Sequence, residues 1–195
     1  MAGRILDIGG KKENKRGTFQ PPQDSRVAVW EYLNPDKSTR PDHCCGAESI
    51  PLEPDSVDGF VICEVLEHVE RPEAVLAEAF RVLKPGGRGW ITMPFLYQVH
   101  ADPDDFQRWT GMKLRSVLEK TGFAEVECEP QGSFVAVIHD IVHSVLHRSP
   151  GSGLLNRICR RLLHAGGPLV MSVDRRFLYY ARYVTTGFAV TVRKL

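Results

Sequence analysis

Ile5-Leu6-Asp7-Ile8-Gly9-Gly10 sets a carboxylate and two glycines at the end of a short apolar stretch. Backbone without Cβ atoms at a strand end lets a ligand approach the main chain closely, with an acid alongside to accept hydrogen bonds. A glycine pair there is equally a plain turn. About twenty residues further on, Val27-Ala28-Val29-Trp30-Glu31 reads as a second strand with a carboxylate at its end, suited to a pair of ribose hydroxyls. Acids also end strands merely for solubility.

Three groups of histidines and acids follow. Glu64, Glu67 and His68 stand at i, i+3 and i+4, a spacing that can turn three polar groups to one point. They could hold a divalent ion or form a solvated helix face, and no metal is assigned to them. His100, after Pro94-Phe95-Leu96-Tyr97-Gln98-Val99, is the candidate general base; its plainer reading is a loop histidine packed on its neighbours. His139, His143 and His147 recur every fourth residue, a spacing compatible with zinc, but no strong fourth ligand accompanies them.

These residues need a frame to position them. Arg4–Ile8, Val27–Trp30, Asp58–Cys63, Arg88–Met93, Glu125–Glu129 and Gly187–Arg193 read as strands, alternating with helical patterns. That alternation predicts an α/β protein with a mainly parallel sheet. One helix starts at Pro72, places Val75, Leu76, Ala79, Phe80 and Leu83 on one face and stops at Lys84-Pro85-Gly86-Gly87. A second, over about Thr110–Lys120, ends at Gly122, which suits a left-handed cap.

Two blocks bind the pattern together: IPLEPDSVDGFVICEVLEHV over Ile50–Val69 and RPEAVLAEAFRVLKPGGRGWITMP over Arg71–Pro94. With LDIGG before them and the Gly187-Phe188 turn after them, this ordered series resembles the class I S-adenosylmethionine-dependent methyltransferases. It is most similar to the type 11 branch, which includes O-methyltransferases of ubiquinone synthesis. The resemblance covers Ile5 to about Phe123 and returns at Thr185–Phe188. It implies a Rossmann-like, seven-stranded sheet with helices on both faces, an antiparallel strand at the edge and a helical insertion between the last two strands. It also implies S-adenosylmethionine as cofactor. Asp7, Gly9 and Gly10 would hold the methionine end, Glu31 the ribose, Ala47 and Glu48 the adenine side, and the Cys63-Glu64 backbone the sulfonium. Pro103 to Thr110 resembles the P-x-D-x-x-R-x-T lid of that branch, with Asp105 and Arg108 pairing to brace it and His68 near the substrate.

The expected activity is methyl transfer to the oxygen or nitrogen of a small-molecule, sugar or lipid-precursor acceptor. A nicotinamide dehydrogenase would show G-x-G-x-x-G where this chain has Gly-Gly-Lys-Lys-Glu-Asn, and has no use for the EVLEHV and LKPGG blocks. The alternative is a non-catalytic, methyltransferase-like binding or scaffold protein. It is suggested by the polar Lys11–Ser25 segment, which has no further glycine soon after the pair, the next being Gly17, and almost no apolar residue for the family's helix.

At 195 residues, 43% of them apolar, one domain over 1–195 is expected, with about 134–180 as a helical cover. Met1–Ile138 carries 16 basic and 22 acidic residues, a balance that disfavours nucleic acid. Five cysteines without a CxxC pair, a first strand that begins almost at Met1 and the lack of a long apolar run point to a cytoplasmic protein. Over Leu154–His164, Leu154, Leu155, Ile158, Leu162 and Leu163 share one half of a helix with Arg157, Arg160, Arg161 and His164 on the other. This is a cover for the acceptor pocket, a subunit contact, or a peripheral contact with anionic lipid.

Overall fold

The computed structural model describes residues 1–13, 21, 25–101, 103–148 and 154–195, with backbone alone at 154–156 and 163–164. The Lys11–Ser25 segment, where the family's first helix reads as missing or remodelled, falls largely outside the described residues, as do parts of the Leu154–His164 stripe.

Six strands form one sheet: β1 (Gly3–Ile8), β2 (Val27–Leu33), β3 (Val57–Cys63), β4 (Leu83–Pro94), β5 (Ala124–Gln131) and β6 (Gly187–Arg193), in the order β2-β1-β3-β4-β6-β5. β1 pairs in parallel with β2 and β3, and β3 with β4. The Gly86 N–H donates to the Lys194 carbonyl and the Phe95 N–H to the Thr186 carbonyl, so β6 runs against β4. The parallel α/β frame is as expected; the antiparallel strand β6 lies one in from the edge, outside which is β5, and the described residues form six strands where seven were expected. Beyond β2 the described residues hold only an isolated parallel bridge, Leu33 to His43. The reason is local: Pro41-Asp42-His43-Cys44-Cys45-Gly46 has a proline, a glycine and no β-branched residue, so nothing sustains a ladder.

The elements follow from local signals. α1 (Pro72–Val82) opens on proline, whose fixed φ suits the first turn, and buries Val75, Leu76, Ala79 and Val82. α2 (Gly111–Thr121) is capped by the Thr110 hydroxyl, which accepts from the Lys113 N–H, and ends at Gly122 with φ 112°. Phe123 then sits edge-on to Phe80 at 5.0 Å and tilted against Phe60 at 5.8 Å, joining α1, the α2 cap and β3 around one aromatic cluster. The Lys84–Gly87 turn is a bulge within β4: between the Val57–Leu83 and Gly59–Arg88 pairs the register slips.

By packing, the chain divides into two compact units. One comprises Met1–Met93, Ala101–Glu129 and Ala189–Leu195; the other comprises Pro94–His100 and Pro130–Phe188. The second holds α3 (Phe134–Arg148) and α4 (Leu154–Arg176), which pack on each other, followed by the 3-10 turn Leu178–Arg182. Asp174, buried near the end of α4, accepts from the Ser133 hydroxyl and from the N–H groups of Ser133 (2.9 Å) and Ala136 (3.1 Å). It thereby satisfies the orphan donors at the start of α3. α4 continues well past His164, through Gly166-Gly167-Pro168, farther than the amphipathic pattern indicates.

Candidate functional site

Register sets the lip of the sheet. Ile8 pairs with Leu33 and with Ile62, and Cys63 with Thr92, so Gly9, Asn34 and Cys63 come level at the carboxyl ends of β1, β2 and β3. The chain leaves β1 for β2 on one side and reaches β3 on the other, and in open parallel sheets this switch point is where ligands bind. Gly9 has φ 84°, and a Cβ there would stand 2.4 Å from Val65 Cγ2. A Cβ at Gly10 would lie 2.3 Å from the Asp7 carboxyl carbon. Both glycines are thus required by close approach, and at Gly9 by the left-handed backbone as well. Asp7 is buried beneath them and accepts from Trp30 Nε1 at 3.2 Å.

Glu31 does not stand at this lip. It lies two residues inside the end of β2, level with Leu6, and alternation turns it to the sheet face opposite Asp7 and Tyr32. There Arg4 holds it through two hydrogen bonds, Nε at 2.6 Å and a terminal nitrogen at 3.1 Å, with His43 Nε2 at 3.6 Å. The residue at the mouth of β2 is Asn34. Buried, it donates its side-chain amide to the carbonyls of Gly9 (2.9 Å) and Gly10 (3.2 Å), while its oxygen accepts from the Asp36 N–H. The sequence signal for it was the Asn34-Pro35 dipeptide, which marks a strand end.

On the other flank, Ala47 is buried and Glu48 is exposed beside Arg71, 3.4 Å away. The loop that carries them is strapped to α1. Arg81 pairs with Glu78 and donates to the carbonyls of Ile50 and Leu52, and Glu78 accepts from the Ile50 N–H. At the end of β3, Glu64 adopts φ 53°, a strained conformation for a side-chain-bearing residue. Its carboxylate accepts the Thr92 hydroxyl at 2.8 Å. Desolvation by the surrounding protein, with Asp7 and Glu64 nearby, pushes the Cys63 thiol up to about 11, so it stays protonated at neutral pH.

Glu64, Glu67 and His68 do not share a helical face: the helical residues are Leu66–His68 in a 3-10 turn, with Glu64 outside it. Glu67 is fully buried, and desolvation, reinforced by Glu64, raises its carboxyl to about 7 despite Arg108. This turn is tied to the 104–109 segment. The Phe106 N–H donates to the Glu67 carbonyl, His68 Nδ1 to the Asp104 carbonyl at 2.6 Å, and Gln107 Nε2 to the carbonyls of Leu66 and Val69. Asp105 and Arg108 form a two-pronged ion pair that stiffens the same segment. Gln107, which also accepts from Trp109 Nε1, is a linchpin that spacing did not reveal.

In the second unit, His100 stands edge-on to Tyr97 at 5.2 Å, with Nδ1 3.2 Å from the Gln98 carbonyl. A carbonyl only accepts, so in this contact Nδ1 is the donor. His139, His143 and His147 stack ring on ring along α3, at 6.0 and 4.1 Å between centroids, rather than converging on a point. Among the described residues no helix is long and apolar enough to cross a membrane.

Comparison with known proteins agrees with this frame. Residues 26–91 match the family model described as "Methyltransferase domain". Over 84 residues the chain is 34% identical to the mitochondrial 2-methoxy-6-polyprenyl-1,4-benzoquinol methylase of Caenorhabditis elegans, covering 43% of this chain and 24% of that protein. Over 90 residues it is 38% identical to the ubiquinone/menaquinone biosynthesis C-methyltransferase UbiE of Methylobacterium nodulans, covering 45% and 35%. It thus spans only about a quarter to a third of these relatives. Among solved structures, a SAM-dependent methyltransferase from Archaeoglobus fulgidus superposes with a TM-score of 0.58 at 15% identity, covering 99% of this chain and 86% of that one. The [4+2]-cyclase SpnF shares the fold at a TM-score of 0.56 and 18% identity, covering 98% and 74%. Residues 26–91 thus resemble a methyltransferase domain, and the fold over nearly the whole chain is the one seen in solved SAM-dependent methyltransferases.

Proposed function

We propose that this chain transfers a methyl group from S-adenosylmethionine to a nucleophilic oxygen, nitrogen or carbon of a small or lipid-precursor acceptor. The observation that carries the reading is the glycine cradle. Gly9 and Gly10 make a tight turn at the end of β1 that packs so closely on Val65 and Asp7 that no side chain fits, which leaves its backbone bare to a ligand, with buried Asp7 below and the strained Cys63-Glu64 bend level beside it. That cradle fits the methionine end of the cofactor. The ribose end fits less well, because Glu31 is committed to Arg4 and the mouth of β2 presents an amide. The fold alone would not carry the proposal, since a cyclase shares it.

When bound, the cofactor supplies a methyl carbon already activated by a positive sulfur. The protein then has to align the acceptor and exclude water, and positioning is worth roughly 7–11 kcal/mol in favourable cases. Asp7 and the Gly9-Gly10 backbone orient the cofactor, Asn34 holds that turn in shape, and the Asp105–Arg108 brace stiffens the segment over the Leu66–His68 turn. His100, whose Nδ1 lies against the Gln98 carbonyl, is the residue assigned to take a proton from a hydroxyl or ammonium acceptor. The names of the relatives span C- and O-methyl transfer, which supports leaving the acceptor atom broad and favours a quinol- or phenol-like ring as the first class to screen.

Isothermal titration with S-adenosylmethionine and S-adenosylhomocysteine tests the cofactor; a metabolite screen read by S-adenosylhomocysteine release tests the transfer. Silence at millimolar cofactor would overturn the enzyme reading. It would favour the second one, a methyltransferase-like scaffold, for which the diverted Glu31 is the specific observation. His100→Ala should slow transfer at unchanged cofactor affinity; equal rates would remove it as base.

A further inference from the structure

We infer that α4 and the Leu178–Arg182 turn form a surface that lies on an anionic phospholipid membrane. The inference is independent of methyl transfer.

The second unit carries seven arginines, no lysine and two acids, Asp140 and Asp174. Asp174 is buried at the start of α3, so one acid is left to offset the arginines at the surface of this unit. Along α4, Ile158, Leu162 and Leu169 are exposed at intervals of four and seven residues, forming one row down the helix. Arg157, Arg161 and Arg175 are exposed at the corresponding positions one residue earlier or a further turn along, forming the neighbouring row. Cations beside aliphatics on one exposed arc is the arrangement a bilayer surface accepts: side chains enter the acyl boundary while guanidinium heads reach the phosphates.

The turn that follows adds anchors of the right kind. Tyr179 and Tyr183 are 66% and 69% exposed and flank Arg182, whose guanidinium sits 3.9 and 4.7 Å from their ring centroids. Tyrosine has an apolar body and a wet tip, which suits the headgroup level. A second copy of the chain fits this surface less well, because it would bring together the arginines of both copies with few acids to offset them. Nucleic acid would satisfy the arginines but leave the aliphatic row in water.

The test is co-sedimentation of the full chain with vesicles of phosphatidylcholine alone or with added phosphatidylglycerol, at low and high salt. Binding should require phosphatidylglycerol and weaken as salt rises. Arg157→Gln/Arg161→Gln/Arg175→Gln should bind roughly a hundredfold more weakly, at about fivefold per arginine. Ile158→Ser/Leu162→Ser should also weaken binding but keep its salt dependence, with unchanged melting showing that both variants fold. The inference fails if the unmodified chain ignores anionic vesicles at low salt, binds pure phosphatidylcholine equally, or binds as tightly in the triple variant. It also fails if light scattering shows copies paired through this surface with no vesicle binding.

Discussion

Replacing Glu67 by glutamine isolates the energetics of one buried carboxyl beneath the 104–109 segment. The folded protein raises this group from 4.5 to about 7, mainly by desolvation. Between those values the folded state keeps a proton that the unfolded chain releases, so stability falls as pH rises through this window and stays low above it. At about 1.4 kcal/mol per tenfold change, the loss amounts to roughly 3 kcal/mol. Glutamine keeps the shape without the charge, so Glu67→Gln should flatten this limb of the stability curve. At about pH 8 the variant should gain roughly 3 kcal/mol, since the shift to about 7 already contains the charge's attraction to Arg108, whereas near pH 4.5 the two proteins should match. Urea unfolding from about pH 5 to 8 reads this directly, and the gain corresponds to roughly 6–12 °C in Tm for a chain of this size. A variant less stable than the parent at high pH, or one with the same slope against pH, would refute buried charge as the cause.

Asn34→Ala removes both donors that hold the Gly9-Gly10 turn, so it should cost roughly 1–3 kcal/mol and weaken cofactor binding about tenfold; unchanged titration heats would detach Asn34 from the site. Glu31→Gln should alter cofactor affinity by less than about twofold, since this carboxylate serves Arg4; a loss of tenfold or more would return it to the ribose. Gly9→Val should abolish cofactor binding and also lower Tm, because the new side chain meets both a φ of 84° and Val65; a variant with parental Tm would show that the turn relaxes freely. Asp174→Ala strips the start of α3 of its buried acceptor and should destabilise by roughly 2–3 kcal/mol; a loss below about 0.5 would mean water replaces it.

The elements that were legible along the chain share one property: their signals are local. Pro72 opening α1, Gly122 closing α2, the strand alternation and the glycine pair after β1 each need only a few neighbours to act. The Asp105–Arg108 pair is of the same kind, three residues apart on one segment. The helices between β5 and β6 were marked by apolar periodicity, although the extent of α4 was not.

What only the tertiary structure decided depends on register and on distant partners. Whether Glu31 serves a ribose or an arginine turns on how far β2 runs past it: one added pair of residues keeps it inside the ladder, and period-two alternation faces it toward Arg4. Glu67 looked like a polar helix face because spacing carries no information on burial, which the 104–109 segment imposes from far along the chain. Among the described residues β2 has only an isolated bridge where a seventh strand was expected; a proline and a glycine within six positions explain it, yet only the pairing shows that no ladder forms there. Sequence thus determined which groups could act, through short-range chemistry; the fold decided which of them share a face, because that is set by pairing across the sheet.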